Sequence, residues 1–85
     1  MINDPNRDWV GQVQAPDVYA NGTRLFAYRA LRKKLSCNEL KRAVEETNSA
    51  IPSLEPARYT SVRALMADVG RELSAEYGKR CRPRA

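Results

Sequence analysis

Leu35-Ser36-Cys37-Asn38-Glu39-Leu40 is the stretch on which the fold turns. Upstream of it, apolar side chains fall at Leu25, Tyr28, Leu31 and Leu35; downstream they fall at Cys37, Leu40, Val44, Thr47 (through its methyl) and Ile51. Each set has the three-to-four spacing of one helical face. Wound as a single helix at roughly 100° per residue, the first set centres at about 270° from Leu25 and the second at about 80°, so the stripes lie on nearly opposite sides. One continuous helix would bury only one of them well. A break at Leu35-Ser36 turns both to a common core. Ser36 followed by Glu39 has the S-x-x-E form of a capping box, in which each side chain satisfies a backbone N–H at a helix start. The same residues thus end one helix and start the next.

The first helix is expected over 23–34, capped by Asn21 or Thr23, and the second over 36–48. Asn48-Ser49 and Pro52 end the second, and 49–57, with Pro52 and Pro56, read as a loop. A third helix over 58–79 carries Val62, Leu65, Met66, Val69, Leu73 and Tyr77 at helical spacing. Gly70 costs about 1 kcal/mol against Ala inside a helix, which points to a close crossing there, and Gly78 reads as a fray or a stop. Residues 1–22 hold Asp4-Pro5, Gly11, Pro16-Asp17 and Asn21-Gly22, turn and breaker residues between scattered apolar ones (Trp9, Val10, Val13, Val18, Tyr19). They read as an extended arm that docks its aromatics on the helices. The expected fold is therefore all-α: an N-terminal arm (1–22), a three-helix domain (23–81) and a basic tail (82–85). Its expected core is Leu25, Tyr28, Leu31, Leu35, Leu40, Val44, Val62, Leu65, Met66, Val69 and Leu73.

Eighty-five residues make one small domain. Chains of this size bury about 60% of their unfolded surface and often need a staple. The two cysteines, Cys37 and Cys81, are the candidates for one. Cys37 carries three readings. In the first turn of a helix, near Lys33 and Lys34, a lone thiol would be acidified and reactive. On an apolar face it would be a small inert core residue. The third reading is a bridge to Cys81, which the even cysteine count favours in an oxidising compartment. Geometry ties the bridge to the start of the third helix. If that helix begins at Pro56, Cys81 overshoots Cys37 by about 16 Å at 1.5 Å per residue. A start near Thr60 or Ser61, with a turn at Gly78, closes the gap to disulfide range.

The net charge of +5 is unevenly spread. Arg24, Arg29, Arg32, Lys33 and Lys34 crowd the first helix with no acid among them, and Lys79, Arg80, Arg82 and Arg84 crowd the end. These nine are the candidate contacts to an anionic partner. Glu45, Glu46, Glu72 and Glu76 read as solvated helix charges. The chain has no histidine, which removes Ser-His-Asp and Cys-His arrangements and imidazole metal sites. It has no phosphate-binding glycine loop, and two distant cysteines do not make a zinc pattern. No catalytic, cofactor or metal residue is assigned, and neither an enzyme nor a small-molecule substrate is expected. No apolar run approaches the ~20 residues of a membrane span. No apolar signal-peptide core follows Met1, which reads either as a cytosolic chain or as a mature form with an added Met.

The expected function is a small non-catalytic helical protein-interaction module, such as a secreted or periplasmic accessory, inhibitor or adaptor. The alternative is nucleic-acid binding through the first helix and the tail. Against it, the five cations of the first helix fan around its axis, and the Leu35-Ser36 junction is short for a helix-turn-helix. An anionic membrane surface is a third partner class, and the tail shows no lipid anchor beside it. A bridged cysteine pair would put the chain outside the cytosol; free thiols would fit the cytoplasm.

Overall fold

The structure, a computed structural model, describes residues 7–81. Among these residues the chain forms helices α1 (Pro16–Tyr19), α2 (Thr23–Leu31), α3 (Cys37–Ala50) and α4 (Thr60–Arg80), with a 3-10 turn at Ile51–Ser53 and no strand. The fold is all-α, and the break at Leu35-Ser36 is where the two stripes require it. α2 stops at Leu31, short of residue 34, because the Leu31 carbonyl accepts from both Lys34 N–H (2.7 Å) and Leu35 N–H (3.0 Å) and closes a turn. The capping box then opens α3. Ser36 Oγ accepts from Glu39 N–H at 3.1 Å, and the Glu39 carboxylate accepts from Ser36 N–H at 2.9 Å.

Other boundaries differ from expectation as well. α3 runs through Asn48-Ser49 to Ala50, and Pro52 is absorbed at the start of the 3-10 turn, where a missing N–H leaves no helical bond unmade. α4 starts at Thr60, but Thr60 does not cap it; its hydroxyl donates to the Pro56 carbonyl. α4 also passes through Gly78, so the chain reaches Cys81 along a continuing helix, without a stop at the glycine. At the start of α2 the capping position belongs to Gly22, whose φ of 77° is costly for a residue with a Cβ; Asn21 Oδ1 instead accepts from Thr23 N–H at 2.9 Å.

α3 and α4 pack antiparallel. Thr47 lies against Gly70, Val44 and Lys41 share a groove with Ser74 and Tyr77, and Cys37 meets Cys81. A Cβ at Gly70 would approach Thr47 Oγ1 to 3.0 Å, so the crossing is close, as the lone glycine suggests. α2 lies across α4, and the core forms between them: Leu25, Tyr28, Leu31, Leu35, Leu40, Val62, Met66, Val69 and Leu73 are buried. Val44 and Leu65 are only half-buried at its edge, because each sits where its helix surface turns toward solvent. The core also takes in Val10, Tyr19, Ala27, Ala43, Ala50 and Leu54.

Val10 and Tyr19 show that residues 7–22 are not an extended arm. They turn at residues 8–11 and form α1, which Pro16 starts with its fixed φ and Asp17 supports in the first turn. The expected docking of aromatics does occur. The Trp9 ring lies 5.0 Å from that of Tyr28, and Tyr19 is fully buried.

Candidate interaction surface

The interior holds an ionic cluster that decides which charges remain available. Arg24 is 4% exposed and Glu46 1%. Arg24 Nε and Nη2 each donate to the Glu46 carboxylate at 2.8 Å. Nη2 also donates to the carbonyls of Trp9 (2.5 Å) and Gln12 (2.9 Å). The hydroxyls of Tyr19 and Tyr28 donate to the two Glu46 oxygens, at 2.6 and 2.5 Å. Those hydroxyls accept in turn from Gln14 N–H (3.0 Å) and Gly11 N–H (2.9 Å). The guanidinium also lies over the rings of Trp9 and Tyr28. Burial, reinforced by the bond to Glu46, pushes the Tyr19 phenol up to about 12, and the same causes raise Tyr28.

The cluster therefore fastens residues 9–14 onto α2 and α3. It also corrects two expectations: Arg24 points inward and does not face an anionic partner, and Glu46 is no solvated helix charge. The sequence carries a faint signal of this. Arg24, Tyr28 and Leu31 share a stripe at i, i+4, i+7, and Glu46 lies between Ala43 and Ala50 on the face of α3 that small residues let sink into the core.

Most of the other expected arginines are paired. Arg29 makes a bidentate contact with Glu72 (2.9 Å and 2.9 Å), and Arg32 lies 3.5 Å from the same carboxylate. Arg80 Nε donates to Glu76 at 2.6 Å, while its Nη2 reaches the carbonyls of Arg32 (3.1 Å) and Leu35 (3.0 Å). Glu72 and Glu76 are accordingly partnered, and Glu76 is nearly buried. Lys33, Lys34 and Lys79 are exposed, and Arg82 and Arg84 lie outside the described residues. Near the same end, Arg7 grips Glu39 with two bonds (3.0 and 3.2 Å), which holds the Glu39 carboxyl below its usual range although burial works the other way.

The Cys37 and Cys81 sulfurs lie at disulfide distance, 2.16 Å, with Cα atoms 5.6 Å apart. Cys37 is exposed and Cys81 half-buried, so the pair sits at the surface. It joins the first turn of α3 to the end of α4, and so brings Lys33 and Lys34 to the same end of the molecule as Lys79 and Arg80. The largest exposed apolar side chains among the described residues are Val13, Val18 and Phe26. The Phe26 ring leans over Gly22, and Leu65 of α4 approaches the same glycine. No described helix is long and apolar enough to cross a membrane, and no group of three described Cys, Asp or Glu residues is arranged to hold a metal. Comparison with known protein families, with curated proteins and with solved structures gives no match.

Proposed function

We propose that the chain is a small non-catalytic protein-interaction module that works in an oxidising compartment, as a secreted or periplasmic accessory, inhibitor or adaptor. The observation that carries this reading is the closed ionic cluster. Its ionisable groups, Arg24, Glu46, Tyr19 and Tyr28, are the densest chemistry in the described chain, and each is at most 4% exposed. Their bonds are spent on one another and on the backbone of residues 9–14. A substrate would need access to such groups; a binding module needs them only to hold its surface rigid. Function then falls to that surface, where Phe26 is 52% exposed on a helix otherwise buried along its inner face. The bridging distance between Cys37 and Cys81 supports the compartment.

The test is site-specific photocrosslinking in the native host, with the reactive residue placed at Phe26 and, as a control, at exposed Ser49. Protein adducts from position 26 but not from 49 are expected. Equal labelling from both, or adducts to nucleic acid alone, would sink the reading. Intact mass before and after reduction and alkylation checks the compartment: a chain isolated with both thiols free belongs in the cytosol. Nucleic-acid binding is the second reading, favoured by the gathering of Lys33, Lys34 and Lys79 at one end. Its mark would be a steep, salt-dependent affinity for random duplex DNA.

A further inference from the structure

Taking the chain to be a protein-interaction module, we propose that the end where α4 meets the α2–α3 corner is a cationic docking surface for a carboxylate-rich segment of a protein partner, and that Arg80 and the Cys37–Cys81 bridge assemble it. In sequence the two basic runs are far apart, and the bridge alone spans a separation of 44 residues. Two consecutive residues of α4's end bring them together. Arg80 donates to the carbonyls of Arg32 and Leu35, which bracket Lys33 and Lys34, and so fixes the backbone that carries both lysines. Cys81, the next residue, ties the same end to the first turn of α3. Lys79 precedes them on α4 and is exposed.

The cations at this end divide by type. Arg29, Arg32 and Arg80 are held by Glu72 and Glu76, as planar guanidinium forks are suited to be. Lys33, Lys34 and Lys79 make no ion pair with a described carboxylate and are left to meet a ligand. That division favours spaced carboxylates over a polyphosphate. Duplex DNA presents one charge per about 1.7 Å along its axis and would press phosphates onto half-exposed Glu72 as well as onto the lysines. A peptide with separated acidic side chains can meet the lysines one by one. A second copy of this chain would bring the same positive end against itself. An anionic membrane would call for an apolar side chain to insert beside the lysines; the large exposed ones, Val13, Val18 and Phe26, lie toward the start of α2 or before it.

The experiment measures binding of the full oxidised chain to a fluorescent peptide of alternating Glu and Ser, across a salt series. Binding should weaken as salt rises, and the triple variant Lys33→Glu/Lys34→Glu/Lys79→Glu should lose about tenfold or more, the sum of three exposed ion pairs. Arg58→Glu, before the far end of α4, should leave the affinity unchanged. The Cys37→Ser/Cys81→Ser variant, checked for retained helix by circular dichroism, should bind several-fold more weakly because the two halves of the surface come apart. Unchanged binding by the triple variant overturns the docking surface, and unchanged binding by the folded double-serine variant overturns its assembly by the bridge. Tighter binding to phosphatidylserine vesicles overturns the partner class. In each of these cases protein crosslinks from position 26 would leave the module reading standing. Tighter binding to duplex DNA, with nucleic-acid adducts at position 26, would remove both.

Discussion

Glu46 is the residue on which the buried ionic cluster depends, and the one the sequence disguises best. Beside Glu45, in a helix with charged neighbours at Lys41 and Arg42, it looks like a solvent-facing acid; it is 1% exposed and accepts from Arg24, Tyr19 and Tyr28. Hydrophobic periodicity marks such a group only through its neighbours, here Ala43 and Ala50, because the pattern counts apolar residues and a buried ion pair contributes none. Removing one partner of such a pair leaves the other charge buried alone. Glu46→Leu should therefore destabilise the fold by about 3–5 kcal/mol in chemical denaturation, enough to unfold much of so small a domain. Arg24→Met with Glu46→Leu should recover much of that loss, as apolar replacements of buried pairs often do. The double variant should still loosen residues 9–14, seen as faster amide exchange at Gly11 and Gln14, because the groups that hold them lose their own anchor. The tyrosines supply a second test. Tyr19 has an ordinary value of 10.0 and is pushed up to about 12 by burial and its bond to Glu46. A folded value above the unfolded one means that this contribution is fully present below about pH 10 and fades as pH rises toward 12. Titration followed by phenolate absorbance should show Tyr19 and Tyr28 ionising late and together with unfolding; early, reversible ionisation of all four tyrosines would contradict their burial.

Helices were more legible than single residues, because a stripe averages over many positions. The opposed stripes around Leu35-Ser36 and the Ser36–Glu39 box mark the α2–α3 break, and both capping bonds are made. The lone Gly70 marks a close crossing, and Thr47 occupies it. What periodicity could not supply was length. α3 continues to Ala50 and α4 to Arg80 because packing against each other outweighs the weak helix propensities of Asn48, Ser49 and Gly78. α1 escaped because four residues are too short for a period to register; only Pro16-Asp17 hints at a helix start. At this scale the two edges of the α3–α4 contact should separate cleanly. Leu40 and Leu73 are fully buried, and Leu40→Ala or Leu73→Ala should each cost about 2–5 kcal/mol. Val44 is half-buried at the rim, so Val44→Ala should cost less than either. Equal losses at all three in urea melts would mean that the rim is as tightly packed as the centre.

For the molecule as a whole, the question is what keeps so small a core folded. A chain of 85 residues supplies a few kcal/mol from packing alone. The Cys37–Cys81 pair joins points with a sequence separation of 44 and encloses α3, the 3-10 turn and α4 between them. In the chain-entropy picture a bridge of that span limits the unfolded chain enough to contribute about 4 kcal/mol, comparable to the core itself. The bridge also closes where Arg80 already holds the α2–α3 corner, so the two act on one junction from adjacent residues. Reduction should therefore lower the melting temperature markedly, while far-ultraviolet circular dichroism at low temperature keeps its helical form, since the α2–α4 and α3–α4 contacts and the ionic cluster do not pass through sulfur. With the bridge gone, the last turn of α4 should open before the rest, and amide protection at Cys81 and Arg80 should fall ahead of that at Leu73. The Arg80→Ala variant should weaken the same turn even with the bridge intact, because the carbonyls of Arg32 and Leu35 lose their donor. A melting temperature that does not move on reduction would mean that packing alone carries the fold, and native thiols that react with iodoacetamide before any reductant is added would mean that the bridge does not form.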